Sequence, residues 1–126
     1  MRFSVLLTIA GLLGLVFGLA FLFAPVATLN FYGAATGPVG YLSAQFFGSA
    51  LLELGLVFLL IRNVSEAGVI KGIAIGAALG SLAGLYVALH AVRNDMVNSM
   101  GWSSVVIYAL LCVGFAWFAY KGEKAA

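Results

Sequence analysis

GVIKGIAIGAALGSLAGLYVAL, residues 68–89, holds Lys71 as its single charged residue. Glycine recurs at every fourth position, at Gly68, Gly72, Gly76, Gly80 and Gly84, and Ala88 continues the series. In a water-soluble helix each glycine would cost about 1 kcal/mol relative to alanine. In a bilayer the backbone has no water to turn to, so the helix persists. Glycine there supplies a groove against which another helix can press its backbone. The segment therefore reads as a membrane helix of the glycine-zipper kind. Ala74, Ala77, Ala78, Ser81 and Ala83 are also small. The helix is thus expected to sit centrally, touched by several neighbours, and leucine at Gly76 or Gly80 is expected to disrupt a close contact.

The rest of the chain agrees on class. Of 126 residues, 64% are hydrophobic and 8% charged. The mean hydropathy is +1.17. A soluble domain would carry about a quarter charged residues, so the polar surface is too small to cover a soluble globule. Besides 68–89, apolar runs lie at about 3–24, 41–61 and 102–120. Each approaches the roughly 20 residues that a helix needs to cross a bilayer core. No stretch alternates as a membrane barrel requires. The expectation is an all-α, polytopic membrane protein, one integral domain over 1–126, built as a four-helix bundle. The first run is longer than a signal-peptide core and no clean Ala-x-Ala site follows it, so it reads as a retained helix.

Charge sets the orientation. With the N-terminus inside, Arg2, Arg62, Lys71, Lys121 and Lys124 are cytoplasmic and only Arg93 lies outside. Positive residues favour the cytoplasm, so both termini are expected there. The net charge of +2 is too small and scattered to suggest nucleic acid. The lone Cys112 allows neither an intrachain disulfide nor a cysteine metal site. Residues 25–40 hold no charge and read as turns lying in the interface, and Ser65 is a candidate cap for the third span.

Glu53 is the one acid inside a span. It lies roughly 13 Å from the inner boundary, near the midplane. Intramembrane acids usually face the bundle interior. Tyr41, Gln45, Ser49 and Glu53 share one stripe at a spacing of four. Ser81, Thr8 and Tyr108 are hydroxyl partners at matching depth. The stripe suits either a hydrogen-bonded seam between helices or a path for protons or cations. His90, with Tyr86 one turn before it, forms a second candidate polar site at the outer interface, either hydrated or ligand-binding. One histidine without clustered acids or cysteines makes no metal site. No nucleophile–base pair is visible, so no catalytic residue, cofactor or enzymatic activity is expected.

Phe23 to Pro25 (FAP), Phe31 to Gly33 (FYG), Phe46 to Leu56 (FFGSALLELGL) and Ile61 to Asn63 (IRN) together give a recognisable pattern. The chain resembles small four-helix bacterial inner-membrane proteins near the DoxX-like group. That resemblance implies a four-helix membrane fold and a bacterial inner membrane, and carries over no catalytic residue.

Three functions follow in order. The first is a structural or accessory membrane protein that associates through helix faces, as a homo-oligomer or within a larger complex, surrounded by membrane lipids. The second is a small proton- or cation-coupled transporter or channel using Glu53. The third is a lipid or quinone site between helices with His90 or Tyr86 as its polar contact.

Overall fold

A computed structural model describes residues 1–121. Lys124, one of the cations assigned to the inner side, lies outside the described residues. Every regular element of the described chain is a helix: α1 Phe3–Phe23, α2 Pro25–Phe31, α3 Pro38–Leu60, α4 Ala67–Arg93 and α5 Gly101–Lys121. Four of these helices, α1, α3, α4 and α5, are long and apolar enough to cross a membrane. The expected spans are present, with ends shifted by up to four residues. α4 runs on past Leu89 to Arg93 and has 27 residues. At roughly 1.5 Å per residue that is about 40 Å, longer than the hydrocarbon core of about 30 Å.

The segment expected to be a turn holds a short helix instead. Proline restricts the residue before it and lacks an N–H. α1 therefore stops at Ala24, whose φ is −134° and ψ 57°. The same Pro25 is then well placed as the first residue of α2, where its missing donor costs nothing. Thr28 bridges the break, its hydroxyl donating to the carbonyls of Ala24 at 2.6 Å and Ala20 at 3.0 Å. α2 ends at Phe31, and Gly33 just beyond it turns the chain at a φ of 68° that glycine adopts without strain. Pro38 repeats the device at the start of α3, three residues before the expected Tyr41. Ser65 does not cap α4: Glu66 takes the cap position and no side chain bonds there.

Two antiparallel hairpins result. α1 lies along α3, and α4 along α5. We call the end where α1 begins and α5 finishes the base, and the end bearing α2 the top. The α1–α3 seam is made of glycine. A Cβ at Gly18 would sit 2.7 Å from the Leu52 nitrogen, and one at Gly14 2.8 Å from the Leu51 carbonyl oxygen. From the other side, a Cβ at Gly48 would sit 2.6 Å from the Leu22 nitrogen, and one at Gly55 2.7 Å from the Gly11 carbonyl oxygen. The two backbones touch, and any side chain at these positions would hold them apart.

The hairpins meet at their two ends. At the base, Phe3, Phe58, Phe115 and Phe118 pack with Leu7, Ile70 and Ala74 into the buried core. The Phe3 ring lies edge-on to Phe115 at 6.3 Å and tilted to Phe118 at 5.0 Å. At the top, Asn98 in the α4–α5 connection reaches the first hairpin. Its backbone N–H donates to the Tyr32 carbonyl at 2.8 Å and its amide to the Phe31 carbonyl at 3.3 Å. Between these two ties the hairpins stand apart.

Candidate functional site

The gap between the ties is a cleft of 540 Å³ walled by all four long helices. That volume is typical of a small-molecule site. Gly72, Gly76 and Gly80 of α4 form one wall and Leu51, Leu54 and Phe58 of α3 face them. A Cβ at Gly68, Gly72, Gly76 or Gly80 would meet no atom within 4 Å. α4 is therefore not the central helix, and within the chain these glycines are not clasped by a neighbour. Their missing side chains make room instead. Only Gly84 of the series is in close contact, with the Tyr108 ring.

The reason lies in helix geometry. A step of four residues advances about 40° around the axis, so five glycines wind through about 160°. One straight neighbour cannot follow them all. Gly11, Gly14 and Gly18 stay within about 60°, and Gly48 and Gly55 within about 20°, which gives two matching flat stripes. The spacings of three, four and seven in α1 and α3 were the signal for the close-packed seam.

No charged side chain lines the cleft among the described residues. Its polar groups are hydroxyls: Tyr32, Ser81, Ser104 and Tyr108. Ser81 is 8% exposed and Tyr32 9%. Among the described residues no hydrogen bond within the chain engages these four hydroxyls. They occupy the upper half. Ser104 and Tyr108 lie roughly 5 and 10 Å below the start of α5, and Ser81 roughly 18 Å below the end of α4. The lower half, with Phe58, Ile61, Ile73 and Phe115, is apolar.

The residues expected to share one polar site are separated. Glu53 does not face the bundle. It is exposed on α3, as is Ser49. The seam explains this, since Glu53 stands about 140° from Gly48 and 160° from Gly55 around the helix. Gln45 turns the other way and donates to the Leu22 carbonyl of α1 at 3.1 Å. Thr8, a suggested partner of Glu53, donates to the Ser4 carbonyl of its own helix at 2.7 Å. Ser81 faces the cleft, away from Glu53. The stripe from Tyr41 to Glu53 is thus split between a helix contact and an outward face.

His90 and Tyr86 lie on the outside of α4 near the top. Tyr86 is 72% exposed and its ring stacks on His90 at 6.3 Å. His90 Nδ1 is 3.3 Å from the Asn94 amide nitrogen. Neither residue borders the cleft. Among the described residues no cluster of three histidine, cysteine or acidic side chains can hold a metal. Comparison with known families, characterised proteins and solved structures finds no match for the chain.

Proposed function

We propose that this is a multi-pass protein of the bacterial cytoplasmic membrane, non-enzymatic, that works by associating with itself through the outer face of α3. The observation that carries this reading is the exposure of Glu53 midway along an apolar span. A carboxylate facing lipid is expensive, by about 3 kcal/mol or more, and a neutral carboxyl without a partner is also penalised. A second copy related by a two-fold axis brings an identical carboxyl to the same depth. A protonated carboxyl both donates and accepts, so two of them satisfy each other. Ser49 adds a hydroxyl one turn away, and Ala50 beside it permits close approach.

Glu53→Gln keeps a donor and an acceptor and is expected to preserve the oligomer in mild detergent. Glu53→Leu is expected to weaken it by about 1–2 kcal/mol, or roughly 5- to 30-fold in dissociation constant. The check is concentration-dependent energy transfer between labelled copies in vesicles. Equal association of the leucine variant and the wild type would remove the basis of the proposal. Proton or cation flux that depends on Glu53 in proteoliposomes would favour the transporter reading instead.

The orientation is part of the same proposal. Arg2, Arg62, Lys71 and Lys121 belong to the base and Arg93 to the top. The base is then cytoplasmic. Reporter fusions after Asn63 and Lys121 are expected to score cytoplasmic, and one after Asn94 periplasmic. A periplasmic score at Asn63 would reverse the assignment.

A further inference from the structure

We propose that the cleft between the hairpins binds one neutral membrane lipid, its tail toward the base and its ester carbonyl or hydroxyl head among the hydroxyls of Ser81, Tyr108, Ser104 and Tyr32. This site is separate from the α3 face and shares with the association proposal only the membrane location of the chain.

Three observations define the occupant. The cleft is a half-open space, walled by four helices and made roomy by Gly72, Gly76 and Gly80, none of which is approached by a side chain. Its polarity is one-ended. All four hydroxyls lie in the upper half, and the lower half is lined only by apolar side chains, which suits an amphiphile in one orientation. The lining also carries no charge. An anionic phosphate placed there would be stripped of water without a cation to answer it, whereas a carbonyl or hydroxyl oxygen needs only a hydroxyl partner.

Ser81 is the most telling residue. As a residue it is more than nine-tenths buried, yet its hydroxyl oxygen stays accessible where it borders the cleft, and it makes no hydrogen bond within the chain among the described residues. A serine inside a helix commonly returns its hydroxyl to the carbonyl four residues back. Thr8 and Ser43 do so here. Ser81 instead keeps its donor and acceptor available to whatever fills the space.

The test is photolabelling of the full-length protein in lipid vesicles with two probes, a photoactivatable diacylglycerol and a photoactivatable phosphatidylglycerol of the same chain length. Membrane insertion is checked first by alkaline extraction, so that a failure of the membrane reading shows separately. The diacylglycerol is expected to label cleft residues, with peptides of α4 and α5 dominating. Ser81→Ala removes one neutral hydrogen bond and is expected to lower labelling about 2- to 10-fold. Gly76→Leu adds a side chain to open space and is expected to abolish labelling while the thermal transition stays in place. Gly68→Ala, at the foot of α4, outside the cleft lining and with no atom within 4 Å of the added carbon, serves as a control expected to retain labelling. Equal labelling of the cleft by both probes would overturn the neutral-head assignment. Undiminished labelling in Ser81→Ala and Gly76→Leu would overturn the site. Cross-links between copies from cysteine at Ala77 would show that a helix of a second copy fills the cleft, which also overturns it.

Discussion

Leucine at Gly48 is expected to prevent α1 and α3 from pairing, while leucine at Gly72 leaves the fold intact. At Gly48 even a single methyl carbon would lie 2.6 Å from the Leu22 nitrogen and 2.8 Å from the Gly18 carbonyl oxygen. Both neighbours are backbone atoms, and backbone in a helix cannot rotate aside as a side chain does. The helices must separate by roughly an ångström or more, and the whole seam from Gly11 to Leu22 then comes apart. Membrane helices gain little from the hydrophobic effect when they associate, so burial elsewhere does not restore the packing of an opened seam. Gly48→Ala is expected to cost about 1–3 kcal/mol, and Gly48→Leu more than that. Gly72→Ala meets no atom within 4 Å and is expected to change stability by no more than about 0.5 kcal/mol. Titration with a denaturing detergent, followed by the fluorescence of Trp102 and Trp117, measures both. Equal losses at Gly48 and Gly72 would show that the seam described for α1 and α3 is not the close one.

Phe115→Ala is expected to separate the two hairpins at the base. The Phe115 ring is 1% exposed and lies between Phe3 of α1 and Phe58 of α3, with centroids at 6.3 and 5.6 Å. With Phe118, whose ring lies 5.0 Å from Phe3, it is one of two α5 rings that grip the first hairpin. Phenylalanine-to-alanine changes in soluble cores cost about 3–5 kcal/mol, part of it transfer from water and part the cavity left behind. In a bilayer the transfer part is largely missing, which leaves about 2–3 kcal/mol of forfeited packing. Spin labels on α1 and α5 near the base are expected to report a broader and longer distance distribution in this variant. An unchanged distribution would mean that the hairpins are held together elsewhere.

Most of the fold was legible because span length and hydropathy are one-dimensional properties. Four apolar runs, each about twenty residues long, admit few arrangements. The short α2 was hidden because Pro25 signals both an end and a beginning, and the sequence around it shows only the first. The direction of Glu53 was legible in principle. Gly48 and Gly55 flank it, and if they form the contact stripe Glu53 must lie opposite. The longer and more regular glycine series in α4 drew attention away from that shorter stripe. The cleft was not legible at all. It arises where the winding series in α4 meets large side chains of α3 and α5 across a gap, and no local pattern records a gap. Ser81 was recognised as a midplane hydroxyl, yet its orientation depends on α4 packing against α5 and not around a common axis.

Asn98 at the top and the phenylalanine cluster at the base make the molecule a frame fastened at both ends and unsupported along its length. The softest deformation of such a frame is a sideways bow of its middle. α4 is the compliant member, because glycine at 72, 76 and 80 removes the side-chain packing that stiffens a helix against flexure. A guest molecule would therefore pass laterally, straight from the surrounding hydrocarbon, without undoing either fastening. For the lipid proposed above, residence time would then depend on the elasticity of one helix, and bilayer thickness and lateral pressure would be the physical variables to act on exchange.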